Sequence, residues 1–220
     1  MSHMCAMSDI IDPITTLVAA FAGAWFAFLF ERKHKQNEEN ARQIAAGNRA
    51  LYTIFNLWNV QAQIKKEVID PHRGRSDAWL NMAANFPSRY GLTVFEAGEL
   101  SFLLGKESTL YSNLLLEEQR FDLAIQLVES RSRTILNEAW PRLAAAEVGI
   151  GDARESTEIE HIVGVDTTRK LKIFTEGIIT NIDENLASLV KVHDELRKVL
   201  LELFPNQKFI KVEFSSATRN

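Results

Sequence analysis

Apolar and polar positions divide the chain into one charge-free segment and a longer amphipathic remainder. Ile14–Phe30 holds seventeen consecutive residues without a charged side chain. After this segment, apolar residues recur at intervals of three, four or seven, which is the period of an amphipathic helix. The pattern predicts an all-α protein in which one apolar N-terminal helix is continuous with a bundle of three long and several short helices.

Breaks in the helical period set the expected bounds of the first helices. Asp12 is a suitable N-cap and Pro13 a suitable first helical residue, so the first long helix is expected to begin there. It is expected to continue to the break at 70–74, where an Asp-Pro pair and a glycine occur. Shorter helices are expected at Ser76–Asn85 and Val94–Leu104.

The second half of the chain follows the same period. A second long helix is expected at Glu107–Glu147, and Pro141 should kink or split it because proline removes a backbone donor. A third should start near Asp166 and end at Phe204. In Lys208–Phe214, apolar and charged residues alternate, which predicts an extended segment laid on the bundle, with a strand edge in an oligomer as the alternative.

The apolar segment Ile14–Phe30 is predicted to cross a membrane. At about 1.5 Å per residue its length is roughly 25 Å, the short end of what spans a bilayer core of about 30 Å. Acidic residues precede the segment and basic residues follow it, the opposite of a cleaved signal peptide. A buried core helix is the other alternative, but large aromatic residues surround this helix and leave it no polar face.

Three basic residues directly after the segment, Arg32, Lys33 and Lys35, set its expected orientation. By the positive-inside rule they face the cytoplasm, where contact with anionic lipid headgroups is worth about 1 kcal/mol each. The chain is therefore expected to divide into an extracytoplasmic tail (1–12), a transmembrane helix (13–30), a juxtamembrane segment (31–43), a cytoplasmic helical bundle (44–214) and a disordered tail (215–220).

Small residues mark one side of the predicted span. Ala19, Gly23 and Ala27 follow one another at intervals of four, so they share a helix face. Such a face lets two helix backbones approach closely in a bilayer, which predicts a homo-oligomer. Apolar helices are rich in alanine and glycine in general, so a monomeric tether is the alternative.

Composition excludes several classes of function. The formal net charge is −4, which gives no electrostatic basis for binding nucleic acid. The one cysteine, Cys5, precedes the apolar segment, so the rest of the chain has no disulfide or cysteine metal site. There is no phosphate-binding loop and no alternation of strands with helices, so no nucleotide cofactor is expected.

Few residues are candidates for chemistry. Glu158 and His161 have the spacing of a carboxylate-bridged metal pair, but a second such pair is missing and no metal site is predicted. His193 falls on an apolar seam and is expected to be a core histidine. The loop residues His72, Arg73 and Arg75 are candidates for contact with an anion or an acidic partner surface.

Several stretches carry a resemblance to other sequences: Asn48–Asn59, Lys66–Arg73, Asp77–Met82, Glu117–Phe121 and Phe204–Phe214. In these stretches and in its general plan, the chain resembles uncharacterised bacterial single-pass inner-membrane proteins with a basic exit and a helical body. The resemblance implies location in a bacterial inner membrane. It implies no activity, no cofactor and no functional residue.

Three classes of function follow from these observations. The first is a non-enzymatic scaffold or sensor that holds a helical interaction domain at the lipid bilayer and binds a cytoplasmic protein partner. The second is a membrane-disrupting effector of the phage-defence or toxin type, restrained by its cytoplasmic domain. The third, a helical enzyme, lacks any catalytic constellation in the sequence, and the chain is expected not to be an enzyme.

Overall fold

The computed structural model describes the backbone of residues 5–87, 95–96, 98–149 and 154–214, and the side chains from Leu17 onward within these ranges. This part of the chain is all-α and contains no strand, as predicted. Its α-helices are α1 (Cys5–Ile64), α2 (Ala78–Asn81), α3 (Ser108–Thr134), α4 (Trp140–Ala145), α5 (Ser156–Val163) and α6 (Val165–Leu203). Three of these are long and three are short.

The chain divides into two units, Met1–Ala45 and Ala46–Asn220. In the first, the described residues all belong to α1. The second contains the remainder of α1 and the other helices.

The first helix begins earlier than predicted. α1 starts at Cys5, so the predicted start at Asp12 and Pro13 is wrong. The sequence rule expects proline in the first turn because its ring removes a backbone donor and crowds the preceding turn, yet α1 continues through position 13. The predicted end is confirmed: a π-helical turn (Lys65–Ile69) and a 3-10 turn (Asp70–His72) follow α1.

The connection to the second long helix contains less helix than predicted. Only Ala78–Asn81 of the expected Ser76–Asn85 helix is α-helical, because the chain turns extended at Met82, where φ is −56° and ψ is 126°. The expected Val94–Leu104 helix is reduced to a 3-10 turn at Ser101–Leu103. Val94 itself lies outside the described residues.

The expected second long helix is split, as Pro141 predicted. α3 ends at Thr134, a π-helical turn covers Ile135–Ala139, and α4 follows with the proline in its first turn. The π-helical turn changes the hydrogen-bond pattern directly before Pro141, whose ring removes a backbone donor and crowds the preceding turn. The third long helix begins at Val165, one residue before the predicted Asp166, and Phe204 is its C-cap, as expected.

Gly164 forms the sharp turn between α5 and α6. Its φ of 89° is in the region that only glycine adopts without strain. Its N–H donates to the Glu160 carbonyl (2.9 Å), and its own carbonyl accepts from the Thr168 N–H (3.0 Å). A Cβ atom here would lie 2.8 Å from Arg142 Nη1, the end of a flexible, exposed side chain, so the positive φ and not this contact requires glycine.

Two hydrogen bonds define the packing of α3 against α6. Arg131 Nε donates to Thr175 Oγ1 (3.0 Å), and Ser188 Oγ donates to Glu117 Oε1 (2.5 Å). Since the later residue of α3 bonds to the earlier residue of α6, the two helices are antiparallel.

The bundle part of α1 is also antiparallel to α6. Lys65 pairs with Asp183, while the Leu200 side chain lies where a Cβ of Gly47 would be, with its Cδ2 2.7 Å from that position. α1 and α3 therefore run parallel to each other. A parallel pair cannot be joined by a tight turn, which explains the long connection that carries α2.

The core of the second unit lies between these three helices. The helical period of apolar residues corresponds to buried faces of α3 and α6, although Leu186 and Leu203 of α6 and Leu143 of α4 are only half-buried. Side chains with at most 1 % of their surface exposed include Leu51, Ile54, Leu114, Ile125, Ile135, Ile178, Ile182, Leu189, Leu196 and Leu200. Burying a side chain of this size contributes about 1.5–3 kcal/mol, so the seams supply most of the stability of the unit.

The extended segment Lys208–Phe214 packs against helices, as predicted. Phe209 is buried, and the Ile210 N–H donates to Asn48 Oδ1 (3.1 Å). The Phe214 ring lies edge-on to Trp58 and to His193, with centroid distances of 5.3 and 4.8 Å. The segment therefore runs along α1 from residue 48 towards residue 58, next to α6.

Candidate functional site

Large apolar side chains of α1 are exposed in the first unit. Phe21, Trp25 and Phe30 have 70 %, 63 % and 71 % of their surface exposed. Five more residues of this part are also exposed: Leu17, Val18, Phe26, Phe28 and Leu29. Soluble proteins seldom expose so much contiguous apolar surface, and such a patch is typical of a site that contacts a membrane or another protein.

The criteria for a membrane-spanning helix are not met in this structure. Within the described part of the chain, no helix combines the length and the apolar character that crossing a bilayer requires. The predicted span Ile14–Phe30 begins before Leu17, and the side chains of 14–16 lie outside the described part.

The small-residue face of α1 is accessible. Ala19, Gly23 and Ala27 are exposed, and a Cβ atom on Gly23 would meet nothing within 4 Å. Trp25 and Phe28 contact each other with ring centroids 6.5 Å apart. Within the described residues of the first unit, the backbone at Gly23 is thus open to close approach by another helix.

The basic residues after the apolar segment differ in their partners. Lys35 Nζ lies 2.7 Å from Glu31 Oε1, and hydrogen bonding within this pair raises the pKa of Lys35 and lowers the pKa of Glu31. Arg32 and Lys33 are exposed and form no ion pair with the described residues. Their two charges are therefore directly available to an anionic surface.

The candidate anion contacts in the loop after α1 are engaged with carboxylates of the chain itself. Arg73 donates to both oxygens of Asp183 (2.8 and 3.1 Å) and also to Asp70 (3.1 Å). Arg75 donates to both oxygens of Asp77 (2.9 and 2.7 Å). An anion at either arginine would have to displace a bidentate carboxylate, so the role of this loop as a binding site stays a prediction.

Asp183 is the centre of this loop network. Burial alone would raise its pKa, but hydrogen bonds from Arg73 and Lys65 outweigh that effect and hold the pKa below its ordinary value. His72 is half-buried in the same loop, and its Nδ1 forms no hydrogen bond with the described residues. The network joins the end of α1 to the middle of α6.

Arg131 is a buried cation that the sequence analysis missed. Only 1 % of its surface is exposed, and burial lowers its pKa to about 10, so it stays protonated at neutral pH. Its Nη2 donates to the carbonyls of Trp79 (3.0 Å) and Met82 (2.8 Å), and its Nε donates to Thr175. The guanidinium therefore joins α2, α3 and α6 through neutral acceptors.

Further polar groups are buried at other levels of the bundle. Glu117 is 2 % exposed, and its Oε1 accepts from Ser188 and from Arg120 Nη1 (2.9 Å). Gln61 is completely buried, and neither side-chain amide atom forms a hydrogen bond with the described residues. His193 is buried as predicted, with Nδ1 3.2 Å from Asp194 Oδ1.

The structure brings together no set of metal ligands in its described part. No group of three or more His, Cys, Asp or Glu side chains there is placed to hold a metal ion. Glu158, one half of the pair considered from the sequence, is engaged with Arg154 (2.6 Å). Of the buried polar groups described above, Arg131 and Glu117 bond between helices.

Comparison with known proteins adds no assignment. No protein-family model, curated protein or solved structure matches the chain. The resemblance to bacterial single-pass inner-membrane proteins therefore stays an expectation from the sequence.

Replacing Arg131 with methionine should lower the free energy of unfolding by about 3 kcal/mol. The substitution keeps much of the buried volume but leaves the Trp79 and Met82 carbonyls and the Thr175 hydroxyl without their donor, at about 1 kcal/mol each. Urea unfolding of the full chain in non-ionic detergent, followed by circular dichroism, measures the change.

Arg133→Met is the matched control for this prediction. Arg133 is on the same helix, with 69 % of its side chain exposed and Glu129 3.7 Å away. Its replacement should change the free energy of unfolding by at most about 0.5 kcal/mol. Equal effects of the two substitutions would contradict the bonding role of Arg131.

Asp183→Asn should destabilise the chain in a pH-dependent way. Because the folded-state pKa of Asp183 is depressed, its contribution is present above the unfolded value of about 3.9 and is lost as the pH falls through the folded value. The free-energy difference between native and variant, about 0.5–1 kcal/mol at pH 6 for this partly exposed group, should become smaller as the pH is lowered from 6 to 3. Urea unfolding at the two pH values tests this, with Glu184→Gln, an exposed neighbour, as the control expected to change the free energy of unfolding at pH 6 by less than about 0.5 kcal/mol.

Proposed function

We propose that the chain is a non-enzymatic scaffold or sensor anchored in a bacterial inner membrane. In this proposal residues 13–30 cross the bilayer, 1–12 lie outside, 31–43 are the juxtamembrane part of α1 and 44–214 form a helical domain in the cytoplasm. The observation that carries it is the charge-free segment Ile14–Phe30, whose large apolar side chains from Leu17 onward are exposed. A lipid bilayer is the environment in which the exposure of apolar side chains on all sides of a helix is favourable.

Charge distribution supports the proposed orientation. Acidic residues precede the apolar segment, and Arg32, Lys33 and Lys35 follow it. Two of these three cations, Arg32 and Lys33, form no ion pair with the described residues. No carboxylate of those residues therefore competes with anionic lipid headgroups for them. The short length of the span, about 25 Å, favours a helix with little tilt.

The proposed interaction role rests on a difference between the two units: large apolar side chains are exposed in the first unit and form a core in the second. The second unit has its own apolar core, while its buried polar groups Arg131 and Glu117 bond between helices. A rigid helical domain held at the membrane can present a surface to a cytoplasmic protein. We include a homo-oligomer in the proposal, formed through Ala19, Gly23 and Ala27 in the bilayer.

Membrane attachment and orientation can be tested together in a bacterial host. A reporter active only in the periplasm should be silent when fused after Asn220 and active when fused before Ile10, because the basic residues hold the C-terminal side inside. The native chain should also stay with membranes after alkaline carbonate washing. Recovery in the soluble fraction would refute the anchor, and an inverted reporter pattern would refute the orientation.

Self-association should depend on the small-residue face. Gly23→Leu places a branched side chain where two backbones would touch, so it should weaken association in the membrane without reducing the apolar character of the segment. Ala24→Leu adds bulk about 100° around the helix and should leave association unchanged. Energy transfer between labelled copies in vesicles measures both variants.

The same variants separate the scaffold from the alternative, a membrane-disrupting effector. Expression of a scaffold leaves the membrane potential of the host intact with either residue at position 23. Depolarisation by the native chain that Gly23→Leu abolishes would replace the scaffold with the effector. Equal association of the two leucine variants would eliminate the small-residue face as an interface.

A further inference from the structure

Gln61 on α1 and Glu117 on α3 each carry buried polar atoms that form no hydrogen bond with the described residues. These atoms are Nε2 and Oε1 of Gln61 and Oε2 of Glu117. Gln61 is completely buried, and Glu117 is 2 % exposed. Exchanging the two amide atoms of Gln61 would not supply a partner, because neither atom has one. Buried polar atoms are almost always hydrogen-bonded, so these three atoms require an explanation.

The two side chains lie at the same level of the bundle. Gln61 is four residues before Lys65, which pairs with Asp183 on the antiparallel helix α6. Gln61 is therefore level with the α6 residue four positions after Asp183, directly before Ser188. Ser188 is the residue that bonds to Glu117 (2.5 Å). Gln61 and Glu117 are thus within about one helical turn of each other along the axis of α6.

Both side chains also lie on the buried faces of their helices. Gln61 is seven residues after Ile54, which is completely buried. Glu117 is three residues after Leu114 and four before Phe121, and both of these are buried. Positions with these spacings share one face of a helix. The polar ends of Gln61 and Glu117 are therefore inside the bundle.

The connection that follows α2 shows that α1 and α3 are neighbours. Phe95 of this connection lines a small cavity together with Thr53 of α1. The Phe95 backbone N–H donates to the carboxylate of Glu118 on α3. Phe95 thus contacts both helices, and α6 also contacts both. Gln61 and Glu117 therefore face a common core between α1, α3 and α6.

We propose that this core holds one bound water molecule, which joins Gln61 of α1 to Glu117 of α3. The water donates one O–H to Glu117 Oε2. It accepts from the Gln61 Nε2 amide group and donates its second O–H to Oε1 of the same amide, in the ring that a primary amide forms with water. About three hydrogen bonds are usual for a buried water. The site is independent of the proposed function of the chain.

The chemistry of the three atoms favours water over a cation. Glu117 Oε1 already accepts from Ser188 and from Arg120 Nη1 (2.9 Å), so the carboxylate has a cationic partner. A hard metal ion takes about six oxygen ligands, whereas this site offers two oxygen atoms and an N–H donor. Water is both a donor and an acceptor, so a single molecule fits all three atoms.

A double-mutant cycle tests the link between the two side chains. Gln61→Met keeps much of the buried volume and should lower the urea midpoint of the full chain in non-ionic detergent by about 0.5 M, because the water and Glu117 lose a partner. In a Glu117→Met background, Gln61→Met should leave the midpoint unchanged or raise it, because replacing both partners by apolar groups is nearly neutral.

The opposite result is expected if Gln61 has no partner. Removal of an unpaired buried amide would then raise the midpoint in both backgrounds, and this outcome would overturn the proposal. Gln63→Met is the matched control on the same helix. Gln63 is exposed and bonds to Glu67 (3.2 Å), so its replacement should shift the midpoint by less than about 0.2 M.

Magnetisation transfer from water detects the bound molecule itself and needs no variant of Glu117. In the isotope-labelled full chain in detergent, water protons should give a cross-peak to the side-chain amide of Gln61, identified as the amide signal that Gln61→Met removes. The cross-peak should persist in Ser188→Ala, which removes a hydroxyl that could relay the signal. Absence of the cross-peak would refute the bound water even if the cycle shows coupling, because the two side chains would then bond directly.

Discussion

The structure of the second unit depends on one buried cation. Arg131 lies where α2, α3 and α6 meet, and its guanidinium donates to two carbonyls of the α2 region and to the Thr175 hydroxyl. No carboxylate of the described residues bonds to it, so its charge is compensated by dipoles. Such an arrangement is stable only when the acceptors are held in place, and holding them fixes the short α2 helix against the two long ones.

This requirement explains the irregular connection around α2. The chain leaves the helix at Met82 so that its carbonyl can turn towards Arg131. Ser132, the next residue of α3, donates to the Asn85 carbonyl (2.8 Å) and accepts from the Asn85 N–H (2.9 Å). The long crossing between the parallel helices α1 and α3 is thus attached to α3 through polar contacts, in addition to its buried apolar side chains such as Trp79, Met82 and Leu103.

The long helices were predictable because their apolar period is uninterrupted over many turns, and Pro141 correctly indicated the division between α3 and α4. The burial of Arg131 and Glu117 could also have been predicted from their positions in the sequence, but a search for apolar periodicity considers only apolar residues. Each lies three residues after one apolar seam residue of α3 and four before the next, so each falls on the buried face. A charged residue in that position predicts a buried polar contact, but its acceptors are distant in sequence and depend on the tertiary fold.

The short elements and the loop chemistry were harder to predict. α2 has only four residues, and the carbonyls of Trp79 and Met82, in it and directly after it, accept from Arg131, which is distant in sequence. The arginines of the loop after α1 suggested an anion site, yet Asp183, which pairs with Arg73, is more than a hundred residues away. Sequence patterns identify which side chains are charged, whereas the fold decides which of them find partners.

The contacts of the extended segment Lys208–Phe214 also constrain the order in which the chain can acquire its structure. Asn48 and Trp58 lie early in the chain, and they are covered by Ile210 and Phe214. During synthesis on the ribosome, this face of α1 stays uncovered until more than 150 further residues have been added, and its other neighbour, α6, is also made late. The nascent chain therefore carries an exposed apolar helix face for most of its synthesis, which is the period in which a chaperone would bind it.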